Sequence, residues 1–163
     1  MEISQALKGE MSKMNVIKLE IQARPENVAI SRVVAAAILA PLDANVGEVT
    51  DIQTAVSEAV TNAIIHGYSE NPEKVVFVEF LLQNSPNERL ITIKISDTGV
   101  GIENITTARQ PLFSTRPEME RSGLGFTVME SFMDTVEVSS SAEEGTCVTL
   151  TRKLSNPPNA GQS

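Results

Sequence analysis

Three short stretches of this 163-residue chain bring together residue types that can handle a phosphate ester. In SEAVTNAIIHGY, Glu58, Asn62 and His66 stand at i, i+4 and i+8, so a helix would line them along one edge. An asparagine amide oxygen can hold Mg²⁺ while a carboxylate one turn away takes the proton of a nucleophile. The same spacing also describes an ordinary polar helix flank. The second stretch, Asp97-Thr98-Gly99-Val100-Gly101, directly follows a strand-like run. An aspartate there can accept a hydrogen bond from a base amino group, and the glycines let backbone pass close to a ligand, although a plain tight turn would read alike. A dinucleotide fingerprint would need a third glycine where Asn104 stands, and no Walker A sequence is present. The third stretch, Arg121-Ser122-Gly123-Leu124-Gly125-Phe126, opens a helical pattern. Free N–H groups and the positive end of a helix make a phosphate site, and Arg121 adds a fixed charge. Ser122 could equally be an ordinary helix cap.

These residues need elements to hold them. VIKLEIQ (Val16 to Gln22) alternates apolar and polar residues as a half-buried strand does. Apolar residues at helical spacing predict one helix from Glu26 to Ala40, stopped by Pro41, and a longer one from Val46 to His66 with Gly67 at its C-terminal cap. In the second helix Ala55, Val56, Ala59, Val60, Ala63 and Ile64 form the stripe that faces a core. KVVFVEFLL and RLITIKIS, joined by QNSPNE, read as a hairpin. From Thr98 to Ser122 the chain loses periodicity, and so long a connection in a small domain reads as an active-site lid. A short helix from Gly123 to Met133 and strands at Thr135–Ser140 and Thr146–Lys153 complete the order βααββ–lid–αββ, which predicts an α+β sandwich. Residues 1–14 read as a polar, disordered extension or as a start upstream of the real one, residues 15–154 as one domain, and residues 155–163 as a flexible tail.

Composition removes competing chemistries. The hydrophobic fraction of 41% can build a core. A net charge of −8 argues against direct nucleic-acid binding, which needs clustered Lys and Arg, and suits a basic protein partner. One Cys and one His leave no internal disulfide and no structural zinc set, as expected of a reducing cytosol. Cys147 reads as a small packed strand residue and His66 as a helix-end residue beside the site. The strongest apolar run, Val33 to Ala40, is far short of the roughly 20 residues that span a bilayer, so a cytoplasmic domain without membrane contact is expected.

Taken in order, ExxxNAxxHG, DxGxG, a long lid and SGLGF resemble the GHKL nucleotide-binding superfamily of gyrase-type and chaperone ATPases, histidine kinases and anti-sigma kinases. SEAVTNAIIHGY and ARQPLFSTRPEMERSGLGFTVMESFMD are similar in particular to the sporulation anti-sigma F factor family, over about residues 16–153. The resemblance implies a Bergerat-type, two-layer α/β sandwich, with a largely antiparallel sheet covered by helices on one face. It implies ATP and Mg²⁺ as cofactors, sigma F as the inhibited partner, phosphorylation of a serine on an anti-anti-sigma factor, and a homodimer. By the same resemblance Glu58 is the general base, Asn62 the Mg²⁺ ligand, and Asp97 the reader of the adenine amino group, helped by Thr146. Gly99 and Gly101 form the hinge under the nucleotide. Arg121, with Ser122 and the amides of Gly123, Leu124 and Gly125 in the box ending at Phe126, meets the phosphates, and Thr115 offers a lid hydroxyl to them. Arg32 takes the basic partner-contact position on the first helix. Arg116 stands where relatives often carry Lys, which keeps the charge and changes its geometry.

Three other functions compete. A sensor histidine kinase would phosphorylate a histidine on its own dimerisation helix, and the only His here lies inside the nucleotide motif. A stress-response anti-sigma kinase shares the broad pattern, and the complete DTGVGI and SGLGF boxes with the QPLFSTRPE lid favour the sporulation branch. A binding-only module that uses ATP as a structural ligand is disfavoured by Glu58.

Overall fold

Alternation in VIKLEIQ becomes β1 (Met14–Gln22), one edge of a five-stranded sheet in the computed structural model, which describes residues 14–85, 88–112 and 123–155. The other strands are β2 (Val75–Asn84), β3 (Arg89–Asp97), β4 (Thr135–Ser141) and β5 (Gly145–Lys153). Their spatial order is β1-β2-β3-β5-β4, and every neighbouring pair is antiparallel. One sheet face is apolar because alternate residues point to it: Val76, Val78, Phe80 and Leu82 from β2, and Ile91, Ile93 and Ile95 from β3, are all buried.

The helices α1 (Asn27–Leu39), α2 (Val46–Asn62) and α4 (Gly125–Phe132) cover that face, and the predicted α2 stripe, Ala55 through Ile64, is buried throughout. The result is the expected α+β sandwich of two layers. Phe80 sits at 0% exposure in this core, where truncation to alanine costs about 3–5 kcal/mol. With its flanks, α1 covers Pro25–Leu42, a stretch long and apolar enough to cross a bilayer by length and composition. It buries Ser31, Ala35, Ile38 and Leu39, and its Arg32 bonds the Ser57 hydroxyl of α2 at 3.0 Å.

Helix α2 begins at Val46 as expected, and only its far end departs from the expectation. Its start is a reciprocal cap: Asn45 Oδ1 accepts from the Glu48 amide and Glu48 Oε2 accepts from the Asn45 amide, each at 2.9 Å. Its far end widens into a π-helical turn, Ala63–Gly67, capped by Tyr68, and the chain then turns away through Ser69 and Glu70, which carry φ values of 52° and 58°. Gly67 therefore lies inside the turn and is not its left-handed cap. The aperiodic segment also contains a short helix, α3 (Ile105–Ala108), started by Asn104, whose Oδ1 accepts from the Thr107 amide. Met14, read as part of the extension, is the first residue of β1. The rest of that extension, and the tail after Ser155, lie outside the described residues.

Candidate active site

A cavity of about 640 Å³ opens between the sheet and the helix layer, within the usual range for a small-molecule site. Ile95 and Val148 floor it from neighbouring strands, and Ala59, Asn62, Ala63 and His66 wall it from α2 and its π turn. Val100, Ile102, Thr107 and Ala108, from the connection after β3, also line it.

Asp97 and Thr146 are directly paired across β3 and β5, so the strand register brings both to the cavity. Asp97 is 5% exposed. Burial pushes its carboxyl pKa up, and hydrogen bonds from the Gly99 and Thr146 amides offset only part of that rise. The Gly99 bond measures 2.9 Å to Oδ1. Gly99 does not line the cavity. It lets the chain cross α2's end, since a β-carbon at 99 would stand 2.0 Å from the Gly67 carbonyl oxygen. Gly101 does line the cavity and takes φ +73°, with the Ser141 carbonyl 2.4 Å from where its β-carbon would be.

Glu58 and Asn62 meet the start of α4. A β-carbon at Gly125 would lie 3.3 Å from Glu58 Oε2 and 3.2–3.3 Å from the Asn62 amide atoms. Position 125 thus keeps a carboxylate, an amide and a helix N-terminus within reach of one ligand group. Gly123, Gly125 and Phe126 line the cavity, while Leu124 is the residue before the first turn of α4 and is not among the lining residues. Gly123 also closes the base of the long connection, its carbonyl accepting from the Leu112 amide at 2.9 Å. Thr115, Arg116, Arg121 and Ser122 lie outside the described residues. Arg32 is remote from the cavity, half-buried between α1 and α2.

Among the described residues no cluster of three or more His, Cys, Asp and Glu side chains is placed to hold a metal. Mg²⁺ bound with phosphate commonly keeps several waters and takes only one or two protein oxygens. The Asn62 amide oxygen beside Glu58 fits that demand.

Two positioning residues escaped the sequence reading. The Tyr68 hydroxyl donates to the Val75 carbonyl at 2.8 Å, accepts from the Thr98 amide at 2.7 Å, and so ties the π turn to the residue after Asp97. The Ser140 hydroxyl accepts from the Ile102 amide at 2.7 Å and contacts Thr146 Oγ1 at 2.8 Å. No signal in the sequence marks either: the partners lie 30 and 38 residues away.

The model of the histidine kinase-like ATPase domain family matches residues 21–152. Over 142 residues, 87% of this chain and 94% of each relative, the chain is 51% identical to the anti-sigma F factors of Bacillus cytotoxicus and Bacillus thuringiensis. Among solved structures it resembles the RsbU and RsbW domains of a Mycobacterium tuberculosis protein, with a TM-score of 0.63 over 88% of this chain at 22% identity. The chain spans 33% of that longer protein, and the likeness concerns the fold.

Proposed function

This chain belongs to the anti-sigma F factor family of histidine kinase-like ATPases, and from that premise we propose that it holds the sporulation sigma F factor inactive when loaded with ATP and phosphorylates a serine of an anti-anti-sigma factor. It is an anti-sigma factor of the partner-switching kinase type, and its domain is one that uses ATP. Serine as the acceptor, Mg²⁺ as the companion ion, the anti-anti-sigma substrate, the homodimer and the cytoplasmic location extend that reading.

The observation that carries it is the meeting of Glu58 and Asn62 at Gly125, beside a cavity that Asn62, Gly125, Asp97 and Thr146 all line while Glu58 stands just outside that lining. Adenine fits the apolar interior, with its amino group toward the buried Asp97 carboxylate. The phosphates then lie toward α4, where Gly123, Leu124 and Gly125 offer amides at a helix start and Arg121 adds charge. Asn62 would hold Mg²⁺, which neutralises phosphate charge when bound. Glu58 accepts the proton of the incoming serine hydroxyl as its oxygen bonds the γ-phosphorus and the bond to the β-phosphate oxygen breaks. Thr115 and Ser122 complete the phosphate contacts, and Arg32 on α1 supplies the basic contact for sigma F.

Capture of sigma F and of the anti-anti-sigma factor on the immobilised protein, with ATP against ADP and with labelled γ-phosphate followed, tests the whole reading. ATP-dependent retention of sigma F and label on a serine of the second partner are expected. Retention of neither partner in either nucleotide would overturn it.

A further inference from the structure

One wall of the cavity has no anchor in the core. Thr107, Ala108 and Gln110 line the cavity, yet every residue across 103–112 is exposed or half-buried. A segment that buries so little is held by polar links and belongs to the least stable part of a fold. At its start the Ile102 amide donates to the Ser140 hydroxyl at 2.7 Å. At its end the Leu112 amide donates to the Gly123 carbonyl at 2.9 Å, and this rung is strained. Leu112 is 76% exposed and takes φ 65°, a left-handed conformation that a leucine rarely adopts. Gly123 takes φ 62°, and a β-carbon there would lie 3.0 Å from the Leu112 backbone.

Between these links stands an ion pair. Arg109 Nε and Nη2 both reach Glu130 Oε1, at 2.8 Å and 2.6 Å. Glu130 is a firm post, because its neighbour Met129 is 0% exposed and fixes α4 in the core. It also lies one turn after Phe126 on the same edge of α4, and Phe126 lines the cavity. The pair therefore joins two walls, one anchored and one not. Neither Arg109 nor Glu130 lines the cavity, so each acts on a ligand through the wall that it holds. We propose that Arg109 is a positioning residue for nucleotide retention: its grip on Glu130 fastens the loose wall to α4 and slows the departure of ATP. The proposal rests on the ATP reading of the cavity and adds to it the contact that holds the cavity's weakest side.

The test is the rate at which bound ATP leaves the full chain, followed by chase with excess unlabelled ATP. Arg109→Ala and Glu130→Gln should each speed release about two- to fivefold, the scale set by an exposed ion pair. The double variant should release ATP no faster than either single one, since both changes break the same contact. Glu130→Gln separates this contact from plain charge effects. Removing a negative charge near a polyphosphate would by itself slow release, whereas breaking the pair speeds it. Amide hydrogen exchange across 103–112 should quicken in both variants without nucleotide, with β2 and β3 unchanged. Slower or unchanged release in Glu130→Gln, additive effects in the double variant, or exchange that quickens equally in the sheet overturns the proposal and leaves the nucleotide site intact. Failure of the wild-type chain to bind ATP overturns the site reading and this proposal with it.

Discussion

Gly67 lies against Asp97 so closely that a β-carbon at position 67 would stand 2.8 Å from both the carboxyl carbon and Oδ1 of Asp97. The end of one helix and the end of one strand are thereby joined through the absence of a side chain. Gly67→Ala must move the carboxylate or the π turn. We expect it to weaken ATP binding roughly ten- to a hundredfold, the equivalent of losing an aligned hydrogen bond to a charged group. Titration of ATP, with circular dichroism to verify the fold, is the measurement. Wild-type affinity in the folded variant would show that Asp97 can shift without consequence.

Asp97 itself should show its environment in a pH profile. Burial raises its pKa, so the ionised form that accepts the adenine amino group is lost at a higher pH than for an exposed aspartate. ATP affinity should therefore fall on acidification, beginning above the ordinary carboxylate range. The stability term has the opposite sense. A raised pKa makes the protonated native state the favoured one, so that contribution is present at low pH and lost as pH rises through the folded value. Asp97→Asn should weaken ATP by about 1–3 kcal/mol at neutral pH and flatten the acid limb. An unchanged affinity would remove Asp97 from the base site.

Glu48 makes a separate prediction, far from the cavity. Burial alone would raise its pKa, but the Ser155 and Asn45 amides, the Ser155 hydroxyl and the nearby Arg89 outweigh it and hold the carboxyl below the usual range. Its carboxylate accepts from the Ser155 amide at 2.7 Å and so pins the segment after β5 to the start of α2. Arg89, 7% exposed, donates to the Leu42 carbonyl beside it. Glu48→Gln should cost about 1–3 kcal/mol near neutral pH, because charged hydrogen bonds become neutral ones. A depressed pKa contributes stability above the unfolded-state value and loses it as pH falls through the folded one, so the gap between variant and wild type should close in acid. Urea unfolding at several pH values measures this, and a gap independent of pH would contradict the assigned charge.

Much of this arrangement is legible in the sequence, and the rest fails for definite reasons. Strands showed through their alternation, and the α2 stripe through its period, because both patterns are local and both faces are buried. Glu58, Asn62 and Asp97 stood out by spacing and by position at element ends. The Asn45-x-x-Glu48 cap is equally visible as a pattern. Gly67 was misread because a glycine after a helical run ordinarily signals a left-handed cap, whereas here its size is set by Asp97, 30 residues on. Tyr68 and Ser140 were invisible for a similar reason. A lone hydroxyl in a helix end or a strand acquires meaning only from partners that the register brings to it.

The account turns on Glu58. A serine hydroxyl is a poor nucleophile until a base accepts its proton, whereas nucleotide and partner binding need no such base. Glu58→Gln keeps size and polarity, so Asn62 and Gly125 beside it should keep their places. The decisive measurement is single-turnover transfer of labelled γ-phosphate to the anti-anti-sigma factor, alongside ATP titration and sigma F capture on the same preparation. The account predicts normal ATP binding, normal capture, and transfer slowed about a hundredfold or more. Transfer at the wild-type rate, with ATP binding unchanged, would contradict it.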